Sequence, residues 1–170
     1  MSGQLKLEKV DKPHPFPPVS KWKFSQHHPF KAFYEHDHRS VYLLNPRLRR
    51  PAFFATFDGA DANASTPTRP QSVTTPQALY FMNNERIRQV SENLAGRLLK
   101  EADEDKRITQ TWLRLMGRHP TVEELGLTRA FLKQAARYLE GKTEAKDRLR
   151  EQWASLARAL FRTNEMLYVD

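Results

Sequence analysis

Four of the six histidines lie within twelve residues, as His27-His28 and His36-Asp37-His38, with Glu35 beside them. Imidazole and carboxylate are metal ligands, and His-x-His on a strand places both rings on one face. The spacing matches no zinc pattern, so surface histidines of a polar loop are the expectation and no metal is assigned. A second group is the run Asp58-Gly-Ala-Asp61-Ala-Asn63-Ala-Ser65, with oxygen ligands at every second or third position. Calcium loops look similar, but the spacing of an EF-hand and its closing glutamate are missing. Asp58 and Asp61 are therefore read as turn caps, or as partners of an arginine such as Arg39 or Arg69. They could also divide acid and base tasks between them, yet nothing else in the sequence supplies a substrate pocket.

Nucleophile and phosphate chemistry find little to work with. The chain has no Gly-x-Ser-x-Gly elbow, no Ser-x-x-Lys with its partner motifs, no P-loop and no Gly-x-Gly-x-x-Gly, and only six glycines in 170 residues. Zero cysteines exclude disulfides, thiolate zinc sites, a thiol nucleophile and covalent haem attachment. Polyanion binding fits better: 28 Lys and Arg stand against 20 Asp and Glu, a net charge of +8. Lys21-Trp22-Lys23-Phe24 and Arg47-Leu-Arg49-Arg50 interleave cations with aromatic or apolar residues, as single-strand nucleic-acid binders do. Trp112 to Leu125 reads as helix, turn, helix, and its Gly-Arg-x-Pro-Thr-x-Glu-Glu string is similar to sigma-factor helix–turn–helix regions. Its second helix opens Val122-Glu123-Glu124, and carboxylates there would face phosphates.

The elements that must position these groups divide the chain in two. Ten of eleven prolines fall within the first 76 residues, which argues against a long helix there. Residues 1–50 carry ten Lys and Arg against four Asp and Glu, so most of the positive excess sits in this arm. Within it, Ser40-Val-Tyr-Leu-Leu44 reads as one short strand, Pro51 to Phe57 as one short helix opened by proline, and Asp58 to Gln71 as a loop. Residues 76–170 read as helices. Thr75-Pro76 opens a short one over Gln77–Met82, broken near Asn83-Asn84. Ile87, Val90, Leu94 and Leu98 form the stripe of an amphipathic helix ending near Ala102. Ile108, Trp112, Leu115 and Met116 mark the next, stopped at Gly117. Thr121-Val-Glu-Glu124 is a capping box that starts a helix running to Gly141, with Leu125, Leu132, Ala136 and Leu139 inward and Phe131, Ala135 and Tyr138 widening the stripe. A last helix, Ala145 to Thr163, buries Trp153, Leu156, Ala157, Leu160 and Phe161. The expected fold is mainly α: a small helical bundle or orthogonal array of about four helices over 76–170. An extended Pro- and aromatic-rich arm, residues 1–75, belongs to the same domain and has little or no sheet.

Several strings then carry a family resemblance: His38-Arg39-Ser40-Val41-Tyr42-Leu43, Phe57-Asp58-Gly-Ala-Asp61, and Thr75-Pro76-Gln77-Ala78-Leu79 through Met82-Asn83. Gly117-Arg118-His-Pro120-Thr121 with Glu124, and Asn164-Glu165-Met-Leu-Tyr168-Val-Asp170, continue them in order. From about Pro13 onward the chain resembles a bacterial domain of unknown function, number 1553. The resemblance implies the C-terminal part of a large, planctomycete-type extracytoplasmic protein, typically preceded by a domain of unknown function 1549 and often by a cytochrome c domain. It supplies no established activity to carry over, does not demand histidine at the clustered positions, and no cofactor is expected. On this reading the chain corresponds to the second half of the domain, with any haem group and signal peptide belonging to the first.

The resulting expectation is a non-catalytic interaction or structural domain, not an enzyme, whose partner is the remainder of a larger parent protein or another protein. A carbohydrate-binding or carbohydrate-active module is the alternative, and nucleic-acid binding the third. The candidate binding or structural network is Arg39, Tyr42, Asp58 and Asp61, with Trp22 and Tyr34. Arg118 and Glu165, near helix ends, are read as a buried pair or cap, and the stripe tryptophans as core. No apolar run approaches the ~18 residues of a membrane span.

Overall fold

The computed structural model describes residues 3–9, 37–42, 47, 50–65, 67–68 and 74–167. It is mainly helical, and the chain divides into two compact units, Gln4–Gln77 and Ala78–Asp170, the latter joined by Met1–Gly3. Among the described residues no helix is long and apolar enough to cross a membrane.

The first unit holds little regular structure. Lys6 and His38 form an isolated parallel bridge, with the Lys6 amide donating to the Asp37 carbonyl at 2.7 Å. Ser40–Tyr42 is one turn of 3-10 helix, closed by the Tyr42 amide on the Arg39 carbonyl at 3.0 Å. This corrects the expected strand at its described residues, because that i to i+3 bond turns the backbone back on itself. Leu43 and Leu44 lie outside the described residues. Helix α1, Ala52–Thr56, follows Pro51 as the proline signal requires. The segment beyond it is turn and loop in its described part. The buried Gln77 side chain donates to the Thr56 carbonyl at 3.0 Å and accepts from the Thr74 amide at 3.2 Å.

Helix α2 (Thr75–Asn83) opens at Thr75, and Asn84 then ends one helix and begins another. Its side chain accepts from the Arg86 amide at 2.9 Å and caps α3 (Glu85–Leu98). Asp103 does the same for α4 (Glu104–Leu115), accepting from the Lys106 amide at 2.8 Å. Gly117 at φ 73° and Gly141 at φ 75° take the left-handed conformation that a Cβ disfavours, after α4 and after α5 (Val122–Leu139) respectively. The chain continues through α6 (Ala145–Leu160) to the single turn α7 (Asn164–Leu167). Helix α3 ends at Leu98, short of Ala102, and α6 at Leu160, short of Thr163. In both places i to i+3 bonds take over: Glu101 amide to Leu98 carbonyl, and Thr163 amide to Leu160 carbonyl.

Helix α6 is the centre of this unit and packs against α3 and α5. Its Trp153, Ala154, Leu156, Ala157 and Leu160 are buried with Leu94, Ala95 and Leu98 of α3, Ile108, Trp112 and Leu115 of α4, and Leu132 of α5. Each buried Leu- or Ile-sized side chain stabilises the unit by about 1.5–3 kcal/mol. Leu139 is buried as expected, but Tyr138 is exposed, with the Lys142 ammonium 3.5 Å from its ring centroid. One helical position, about 100°, separates the two, enough to carry Tyr138 off the buried stripe. Gly126 lies inside α5, where a Cβ would meet nothing within 4 Å. Gly126→Ala is therefore expected to stabilise the helical unit by ~0.5–1 kcal/mol in urea unfolding.

Candidate functional site

Among the described residues, the densest convergence of charged groups sits where α4 turns into α5. Gly117 reverses the chain, Arg118 follows, and Pro120 leads into Thr121, the N-cap of α5. The Thr121 hydroxyl accepts from the Glu124 amide at 3.2 Å, and the Glu124 carboxylate accepts from the Thr121 amide at 2.7 Å. This reciprocal box holds Glu124 in place for a second task. Arg118 donates to it through both terminal nitrogens, at 2.8 and 2.7 Å. From α7, Glu165 accepts from Arg118 Nε at 2.7 Å and from a terminal nitrogen at 2.8 Å. A fifth bond runs from Arg118 to the His119 carbonyl at 3.1 Å. A guanidinium has five N–H donors, and all five are taken. Beneath it lies the Trp112 ring, 5.1 Å from the guanidinium carbon, and the Trp112 indole N–H donates to the Thr128 hydroxyl at 3.2 Å.

The charges follow from this geometry. The Arg118 hydrogen bonds, aided by those from Thr121 and opposed by partial burial, hold the Glu124 carboxyl at about 2, down from 4.5. Arg118 lowers Glu165 in the same way, and the two carboxylates push the arginine further up, Glu124 contributing most. A general acid or base works best with a pKa near the working pH. Glu124 is displaced in the opposite direction, toward permanent ionisation. Arrangements of this kind lock elements together: here the end of α4, the start of α5, and α7.

The residues singled out by sequence are placed differently. Asp61 accepts from the Asn63 amide at 2.9 Å, a side-chain turn, and Asn63 donates to the Arg47 carbonyl at 2.9 Å. Arg50 donates to the Gly59 carbonyl. Asp58 stands in the left-handed region at φ 53°. Arg39 is exposed and Tyr42 half-buried. No hydrogen bond or ion pair among the described residues joins Arg39 to Asp61. Trp22, Tyr34, Arg69, the Lys21–Phe24 run, and His27, His28 and His36 with Glu35 lie outside the described residues. Among those described, no three His, Asp or Glu side chains converge to hold a metal ion.

The family model for PSD1, protein of unknown function (DUF1553), matches residues 1–132. The chain belongs to this family. No curated protein and no solved structure matches it. The DUF1553 match includes Arg118, Thr121 and Glu124 and stops within α5, before Glu165. Sequence reading found the Thr121–Glu124 box in this DUF1553 chain but expected Arg118 and Glu165 only as a buried pair or cap, whereas Arg118 is half-buried and Glu165 exposed. That Glu124 serves both the box and Arg118 was missed, although Arg118 lies only six residues before it. Also missed was Arg107, which stacks its guanidinium 5.2 Å from the Trp153 ring and donates to the Glu101 and Ala102 carbonyls, both at 2.8 Å.

Proposed function

We propose that this DUF1553 chain is a non-catalytic interaction domain within a larger planctomycete-type extracytoplasmic assembly. The observation that carries this reading is the saturation of Arg118. Among the described residues, the guanidinium set between two carboxylates has no donor left over for a substrate, and those carboxylates are held below their ordinary range. Apolar side chains, by contrast, stand at the surface of the helical unit: Val122 is 88 % exposed, Tyr138 66 % and Leu127 64 %. A partner that covered them would remove this apolar surface from water. The extracytoplasmic location rests on the family resemblance alone.

The test has two arms on the full chain. Chromogenic ester, glycoside and phosphate substrates should give no turnover above the rate of Glu124→Gln or of the Asp58→Asn/Asp61→Asn double variant. A rate lost in either variant would overturn the non-catalytic reading. At pH 7 the folded chain should enhance the fluorescence of an anilinonaphthalene sulfonate dye. A monomer that leaves the dye dark would count against an interaction role.

A further inference from the structure

Resting on the interaction reading, we infer that the outward face of α5 docks an acidic amphipathic helix of a partner protein. Thr128, Leu132 and Leu139 turn α5 inward, and Gln152 of α6 donates to the Leu132 carbonyl at 2.8 Å. The exposed flank, one position from the inward Thr128 and Leu139, carries Leu127 and Tyr138, eleven residues apart and so about three turns along one edge. Lys133 and Arg137 are exposed beside them. From Leu125 to Leu139 the chain has no carboxylate of its own. The third cation of this stretch, Arg129, is paired with Asp105 of α4 at 2.7 Å. Lys133 and Arg137 make no ion pair among the described residues. The Lys142 ammonium over Tyr138 extends the positive edge to the end of the helix.

The chemistry of the occupant follows from charge and shape. Carboxylates must answer Lys133 and Arg137, and apolar side chains must cover Leu127 and Tyr138. At the N-terminal end of this face, one position before Leu127, Gly126 offers no side chain and open space in front, so a second helix can come closest there. A bilayer would need a broader apolar face than two large side chains supply. A second copy of this chain would set like cations against each other. A sulfated or phosphorylated polymer would answer Lys133 and Arg137 but leave Leu127 and Tyr138 uncovered.

The test uses the full chain and three probes: a synthetic Leu/Glu amphipathic peptide as long as α5, its Leu/Lys twin, and phosphatidylglycerol vesicles. The Glu peptide should bind saturably, with amide shifts confined to residues 126–138. Gly126→Gln, which blocks the approach while favouring helix, should weaken it by roughly tenfold. Lys133→Glu/Arg137→Glu should transfer binding to the Lys peptide. The inference is overturned if shifts map elsewhere, if neither variant changes affinity, or if vesicles bind and the peptide does not. A dimer dissolved by Gly126→Gln would equally overturn it, by making the occupant a second copy. Binding mapped to another face leaves the interaction reading standing; turnover lost in the variants named above removes that reading instead.

Discussion

Replacing Trp153 with alanine should unfold the helical unit at temperatures where the parent chain is fully native. Trp153 is 1 % exposed, at the centre of the helix that touches both α3 and α5. Removing a buried indole loses its transfer free energy and leaves a cavity that rigid helices fill only in part, ~3–5 kcal/mol together. Whole domains are stable by about 5–15 kcal/mol, so this is a large share. A second loss is built in, because the same ring is the platform for Arg107, which satisfies two carbonyls just beyond α3. In a unit of this size the melting midpoint should fall by about 15 °C or more, read by far-ultraviolet circular dichroism. Arg107→Ala should reproduce only part of that fall. A Trp153→Ala loss below about 1 kcal/mol would mean that α6 is not the central element.

The second large effect is electrostatic, at Arg118. Arg118→Met keeps much of the stem that lies over Trp112 but leaves Glu124 and Glu165 facing each other without a cation. The C-terminal turn should come loose, with amide exchange over α7 accelerating at least roughly tenfold while the α3–α6 core stays protected. The pH dependence should change as well. In the parent chain the folded Glu124 titrates at about 2, below its ordinary 4.5. A carboxyl lowered on folding contributes stability that is fully present above about pH 4.5 and is lost as pH falls toward 2. Glu165, also lowered by Arg118, acts in the same direction. Without the guanidinium this contribution is absent at every pH, and protonation relieves repulsion between the two carboxylates. The stability gap between parent and variant should therefore narrow as pH falls through that window. A gap independent of pH would assign Arg118 a packing role alone.

The contrast between these two predictions also marks how far the sequence could be read. Helix starts were legible because their causes are local: Asn84, Asp103 and the Thr121–Glu124 box are written within one turn of the helices they cap, whereas α3 and α6 end before their expected Ala102 and Thr163. Gly117 and Gly141 stop helices for a reason contained in one residue. The inward stripe was legible too, except at its margin, where Tyr138 beside Leu139 differs by one position and solvent wins. The ionic lock was only half legible. Glu165 reaches Arg118 across 47 residues, and no local pattern ties a carboxylate in α7 to a guanidinium after α4. The Ser40–Tyr42 turn failed for a related reason: Val and Tyr suit a strand, but strand pairing needs a neighbour, and the i to i+3 bond was nearer.

The most direct test of a structural Arg118 is a double-mutant cycle, with Arg118→Met and Glu165→Gln made singly and together and unfolded by urea at pH 7 and at pH 3. At pH 7 the double variant should be less destabilised than the two single losses added together, because either change already breaks the shared pair. That coupling should be smaller at pH 3 than at pH 7, because falling pH moves Glu165 toward its protonated form. Additive losses at pH 7, or no loss from either change, would contradict the lock and return Arg118 and its carboxylates to the search for chemistry.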